Sequence, residues 1–176
     1  MTDGTIEQQD GRVTFRYRRL LNHSIDRVWR AITDPAELSD WLGAKAELDL
    51  RVGGVYALVH RSPDGGTEQR VEDKVVRLDP PRLFEHTFWL ELNPSALVTW
   101  ELTPTEHGTR LDLTHAVDLA DLRAAGQIAG GADMVTIMSR NGAGWHRILD
   151  LLSAELDGTE PPSSENLRQR YAAMLS

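Results

Sequence analysis

An α+β fold, in which a curved antiparallel sheet is covered on one face by helices, is predicted by three observations on the 176-residue sequence. First, apolar residues alternate with period 2 in one early stretch and through most of the middle. Second, they recur with period 3.6 in two short stretches between those regions and in one long stretch near the C-terminus. Third, turn signals cut the middle into segments joined by loops short enough for antiparallel hairpins. The resulting order is one strand, two helices, six strands and one long helix, which places the helices on one face of a seven-stranded sheet. A sheet of that width curls, and one amphipathic helix does not fill its concave face, so a cavity between sheet and long helix is expected.

Each element has its own local cause. Val13, Phe15 and Tyr17 alternate with Thr14, Arg16 and Arg18, giving a first strand with one buried face. Ser24 caps a helix whose apolar positions Ile25, Val28, Trp29 and Ile32 follow i, i+3, i+4, i+7. Asp34 ends that helix and caps the next, with Pro35 at the first helical position and Glu37 in the first turn, ahead of Leu38, Trp41 and Leu42. Turn signals at Gly53-Gly54, Pro63-Asp64-Gly65-Gly66, Asp79-Pro80-Pro81, Asn93-Pro94 and Glu106-His107-Gly108 then separate six strands. Their expected spans are Ala46 to Leu50, Val55 to Arg61, Glu68 to Leu78, Leu83 to Leu90, Leu97 to Thr103 and Thr109 to Val117. The last helix repeats Trp145, Ile148, Leu149, Leu152 and Leu156 and stops at Gly158, with Gly142-Ala143-Gly144 relieving crowding at its start.

The length matches about one domain of roughly 150 residues. It is expected over 13–157, behind a flexible head at 1–12. Segment 118–138 is too apolar for a solvated loop and carries Gly126, Gly130 and Gly131 as hinges, so it is read as a lid-like insertion over the cavity mouth. In the tail, 158–176, Leu167, Tyr171, Met174 and Leu175 repeat at i, i+4, i+7, i+8 after Ser163-Ser164. That spacing predicts a short helix, docked either on its own domain or on a second copy to make a homodimer.

Composition removes several function classes. The absence of Cys excludes a disulfide scaffold, a thiolate zinc site and a thiol nucleophile, and it fits a reducing, cytoplasmic address. Met1 to Arg12 contain no apolar signal core, and no run approaches the ~20 apolar residues that span a bilayer, so no membrane partner is expected. With 19 Lys plus Arg against 27 Asp plus Glu and a net charge of −8, the chain is not built to neutralise nucleic-acid phosphates.

The residues at fixed places along the chain resemble the heat-shock-protein-90 ATPase activator homologue family, within the START-like, birch-pollen-allergen-like helix-grip superfamily. Val28-Trp29-Arg30-Ala31-Ile32-Thr33-Asp34-Pro35 followed by Trp41-Leu42-Gly43 resembles its opening. Asp49-Leu50-Arg51-Val52-Gly53-Gly54 is similar to its D-x-R-x-G-G hairpin, Asp79-Pro80-Pro81-Arg82-Leu83 to its double-proline turn, and Gly108-Thr109-Arg110-Leu111-Asp112-Leu113-Thr114-His115 to its G-T-x-L strand. Gly144-Trp145 opens the last helix as in many members. The resemblance covers roughly Phe15 to Leu156 and implies a helix-grip fold with a hydrophobic cavity used across the superfamily for apolar small molecules. The eukaryotic co-chaperones that name the family carry a second, N-terminal domain to which nothing in this chain corresponds.

Candidate site residues follow from the elements that border such a cavity. Trp41, Tyr56, Trp89, Trp100 and Trp145 are the expected apolar walls, although a Trp on an apolar stripe is more often core than ligand contact, least so for Trp41, Trp89 and Trp145, whose elements border the cavity. Among the six His, no H-x-H, H-x-x-x-H or H-E-x-x-H spacing occurs, so no metal is expected. His115 continues the face of Leu111 and Leu113, His60 that of Tyr56 and Leu58, and His86 alternates with Phe84 and Phe88. Each is either a buried neutral ring or a polar anchor, and His115 and His60 are the candidate general bases. The strand carboxylates Glu72, Asp73, Glu85 and Glu101 are expected to face water.

Three functional readings follow. The leading one is a cytoplasmic binding protein for an apolar or aromatic small molecule, requiring no cofactor. The second is an enzyme using the same cavity without metal, resembling the superfamily's polyketide cyclases and aromatases, in which positioning and one acid/base residue suffice. The third is a protein-interaction module, a chaperone partner by family resemblance.

Overall fold

Eight strands and five helices make up the described residues of the computed structural model, which are 4–62, 64–128, 130 and 132–175. In chain order they are β1 (Thr5–Gln9), β2 (Arg12–Leu21), α1 (Ile25–Thr33), α2 (Pro35–Leu42), β3 (Lys45–Leu48), β4 (Val55–Arg61), β5 (Glu68–Asp79), β6 (Leu83–Thr87), β7 (Leu97–Thr105), β8 (Gly108–Asp118), α3 (Leu119–Ile128), α4 (Met134–Asp157) and α5 (Leu167–Ala173). The strands form one antiparallel sheet in the order β1-β2-β8-β7-β6-β5-β4-β3. The α1–α2 pair carries the chain from β2 to the opposite edge of that sheet. The tandem caps have the geometry their residues dictate: Ser24 Oγ accepts from the Arg27 amide, and the Asp34 carboxylate accepts from the amides of Ala36 and Glu37.

The inner face of the sheet carries Phe15, Tyr17, Val98, Trp100, Leu111 and Leu113, and α4 covers it with Ile137, Met138, Trp145, Leu149 and Leu152. With 24 residues, α4 is about 36 Å long. It ends at Gly158, whose φ of 64° is accessible to Gly at little cost.

The sheet has eight strands rather than the expected seven, because the head expected to be flexible pairs with β2. Thr5–Gln9 runs antiparallel to Arg12–Arg16 through a two-residue Asp10-Gly11 turn with φ of 52° and 76°. Asp-Gly is a strong hairpin signal. It is masked here because β1 is a polar edge strand with only Ile6 half-buried, so it lacks an alternating pattern. Met1 to Asp3 lie outside the described residues, as do the turn residue Pro63 and the expected hinge Gly131.

Segment 118–138, expected as a lid-like insertion, comprises the end of β8, α3, a short link and the first turn of α4. The last helix therefore begins at Met134, capped by Asp133, and Gly142-Ala143-Gly144 lie within it rather than at its start. The glycine there answers a close approach: a Cβ on Gly142 would meet Tyr171 Cδ1 at 2.6 Å, and the Gly142 carbonyl accepts from Tyr17 Oη at 2.8 Å.

The tail helix docks on its own chain. Leu167 and Tyr171 are buried, and Tyr171 Oη accepts from the Gly4 amide at 2.8 Å and lies 2.9 Å from His146 Nδ1. Leu167 and Tyr171 of the tail's apolar stripe thus pack against α4, while Met174 is exposed. Its N-cap is Asn166, at a φ of 67°.

Candidate functional site: two cavities sharing one aromatic wall

The space between sheet and helix is divided. An inner cavity of about 50 Å³ lies among α2, β4, β5, β6 and α4, and its walls include Trp41, Tyr56, Val71, Asp73 and His86. An outer pocket of about 340 Å³ opens between α3, α4 and the turn after β6. Phe88, Trp89, Trp145 and Ile148 line both, so a single aromatic wall separates them. A volume near 50 Å³ holds one or two waters, whereas small-molecule sites begin near 300 Å³.

The inner cavity is small because aromatic rings, locked by hydrogen bonds, fill the concave face. His86 Nδ1 lies 2.6 Å from the Thr87 carbonyl, which can only accept, so the proton is on Nδ1. Its Nε2 accepts from Trp100 Nε1 at 3.1 Å. Trp145 Nε1 likewise donates to His115 Nδ1 at 2.9 Å, placing the His115 proton on Nε2. His115 is stacked on Phe15 with ring centroids 5.3 Å apart and meets Phe88 edge-on at 5.1 Å. Burial disfavours the charged ring in both, pushing His86 down to about 4 and His115 down to about 3. Burial, and then the charge of Asp73, raise the Tyr56 phenol well above its ordinary value.

Asp73 organises the shared wall. Its carboxylate accepts from Thr87 Oγ1 at 2.8 Å, the Trp89 amide at 3.1 Å and the Leu90 amide at 3.0 Å. These bonds hold the turn in which Trp89 has a φ of 53°, a backbone state that costs a non-glycine residue about 1–2 kcal/mol. The carboxylate is only 7% exposed, which corrects the expectation that it faces water. The signal was present, since Asp73 shares its parity with Val71 and Val75 and therefore the inner face of β5. Glu85 is also buried, at 6% exposure, between Arg77 and the Thr99 hydroxyl.

The outer pocket is different in chemistry. Leu92, Leu122, Ala125, Ile137 and Ile148 make it mostly apolar, and Gly126 lets α3 approach Ile137 of α4 closely. Its polar groups are the side chains of Asn93, Arg140 and Asn141. Asn93 Oδ1 is buried with no hydrogen-bond partner among the described residues. Such an acceptor costs about 1–3 kcal/mol while it stays unsatisfied.

Six of the eight residues expected at the site, Trp41, Tyr56, His60, His86, Trp89 and Trp145, line the inner cavity, with Trp89 and Trp145 also facing the outer pocket. Trp100 and His115 line neither cavity; they stand behind the wall and hold His86 and Trp145 in place. His60 is an exposed rim residue near the end of β4, where the strand still pairs with β5 but its last two residues face solvent. The outer-pocket residues were not legible as a site because they come from α3, α4 and a turn, with no motif linking them. Among the described residues, no three His, Asp or Glu side chains gather where a metal ion could be held. No helix among them is long and apolar enough to cross a membrane.

A curved antiparallel sheet gripping a long C-terminal helix, with apolar space between, defines the helix-grip superfamily. The chain belongs to its activator of Hsp90 ATPase homolog 1-like family, whose model matches residues 22–157. A conserved protein of unknown function from Enterococcus faecalis has a similar structure at 17% identity, with 98% of this chain and 90% of that chain covered and a TM-score of 0.72. Proteins from Bordetella parapertussis and Nitrosomonas europaea are similar at 25% and 20% identity, covering 97% and 82% of this chain and 89% and 94% of theirs, with TM-scores of 0.66 and 0.63. No curated protein shows significant sequence similarity to the chain.

Proposed function

We propose that this protein binds an apolar or aromatic small molecule in the outer pocket, with the inner cavity as its deep end. The observation that carries this reading is the 340 Å³ volume lined by Phe88, Leu92, Leu122, Ile137, Trp145 and Ile148, which matches the size and lining of small-molecule sites. The shared wall supports it further, because Phe88, Trp89, Trp145 and Ile148 line both spaces and set the two side by side. Binding rather than turnover is favoured by the state of the inner polar groups. His86 has both ring nitrogens engaged, Asp73 accepts three hydrogen bonds, and His115 lies behind the wall. The absence of Cys supports the cytoplasm as the compartment.

Native mass spectrometry of the protein purified from its own cells, set against the denatured mass, tests this directly. The expected result is a reproducible mass excess that disappears on denaturation. A bare chain, together with intrinsic tryptophan fluorescence that does not respond to naphthalene, would overturn the proposal.

A further inference from the structure

The outer pocket has one charged residue in its lining, and that residue is a cation. Arg140 follows Ile137 on α4 and is exposed at the pocket's edge, beside Asn141. No carboxylate among the described residues pairs with it, although the chain carries a net charge of −8 and most of its arginines are in ion pairs. The acidic groups of the bordering elements are directed elsewhere. Asp121 on α3 accepts from the Ser95 amide at 3.0 Å, Asp133 caps α4 through the Thr136 amide at 3.0 Å, and Glu91 does not line the pocket.

An apolar chamber with a single unpaired guanidinium at its edge matches one kind of molecule. We infer that the ligand is a monoanionic amphiphile: an aromatic or short aliphatic acid whose apolar body lies between α3 and α4 against Trp145, with its carboxylate at Arg140. A guanidinium pairs with carboxylates through a planar fork of donors and is weakly hydrated, which suits it to the edge of an apolar site. The inference rests on the proposal that the outer pocket binds a small molecule, and it adds the sign of the ligand's charge and its orientation.

Titration calorimetry with three isosteric probes separates the two claims. 2-Naphthoate, 2-naphthylmethanol and 2-naphthylmethylamine share one apolar body and differ in charge. At low salt the acid is expected to bind roughly three- to tenfold more tightly than the alcohol, with the amine weakest, and the preference shrinks as salt is added. The exposed Arg140→Gln variant should keep the alcohol's affinity and lose the acid's advantage, and Arg140→Glu should reverse the order of acid and amine. Equal affinity for acid and alcohol, or an acid preference that survives Arg140→Gln, would overturn the anionic-head inference while leaving the pocket as a binding site. Absence of binding by all three probes would overturn both claims.

Discussion

The inner cavity and the outer pocket share Phe88, Trp89, Trp145 and Ile148, yet they are built on opposite terms. The inner cavity is walled on one side by β4, β5 and β6, and the polar groups of those strands are spent on local partners: His86 on Thr87 and Trp100, Asp73 on the Trp89 turn. The outer pocket is walled by two helices and a turn, is nearly all apolar, and keeps Asn93 Oδ1 and the Arg140 guanidinium uncommitted among the described residues. In this molecule, space for a ligand lies where helices meet across glycine, and the sheet side of the wall supplies rigidity. Burial near the sheet follows from alternation, whereas the gap beside α4 is lined by residues of α3, α4 and the turn after β6.

If the inner wall is the rigid part, acid should weaken it first. His86 and His115 are depressed to about 4 and about 3 from an ordinary 6.5, so below pH 6.5 the unfolded chain takes up protons that the fold refuses. The stability these rings contribute is complete above pH 6.5 and is lost as pH falls through 6.5 towards 4. By pH 5 the loss amounts to about 2 kcal/mol per ring, about 4 kcal/mol for the two. Urea denaturation across pH 5 to 8 measures this, and a double His86→Gln, His115→Gln variant should flatten the profile.

Removing the organiser of the wall should come next in size. Asp73→Ala leaves the Trp89 and Leu90 amides and the Thr87 hydroxyl without their acceptor, and the expected loss is about 3 kcal/mol. Because Trp89 then leaves its left-handed backbone state, near-ultraviolet circular dichroism should change even where the variant remains folded. An unchanged spectrum with full stability would show that the turn holds itself.

A smaller effect is expected from trimming a wall residue without removing its ring. Trp145→Phe removes the Nε1–H donated to His115 and part of the ring volume, for an expected loss of about 1–2 kcal/mol by denaturant titration. The smallest stability change is expected in the outer region. At Gly126 a Cβ would press on the Ile137 side chain, while Ala in place of Gly favours the helix by about 0.5–1 kcal/mol. Gly126→Ala should therefore cost about 1 kcal/mol, an overpacking penalty of about 1–3 kcal/mol partly offset by the helix gain, while the displaced Ile137 narrows the pocket and weakens 2-naphthoate roughly threefold. Loss of stability without loss of binding would reverse the assignment of rigid and ligand-bearing regions.

Legibility in the sequence tracked how local the cause of each feature is. The α1–α2 tandem was readable from Ser24, Asp34 and Pro35 because a cap acts within one turn. The inward direction of His86 and His115 was readable from period 2, since alternation is set by the pleat. The same rule placed Asp73 inward beside Val71 and Val75, and the expectation of a solvated carboxylate was mistaken because it weighed residue type above parity. The start of α4 was obscured by Gly142 and Gly144, which read as a helix start but lie within the helix, where Gly142 serves close packing against Tyr171.

By itself the sequence determined the α+β class, the α1–α2 caps, the inward face of His86 and His115 and the family, because these depend on residues within a turn or a strand of one another. Only the tertiary structure decided that the concave face is filled rather than hollow, since that depends on the ring pairs His86–Trp100 and His115–Trp145 meeting across distant elements. It alone also decided that the larger space opens between α3 and α4 beside an unpaired Arg140, because a cavity is the volume that packing leaves over, and no single segment encodes it.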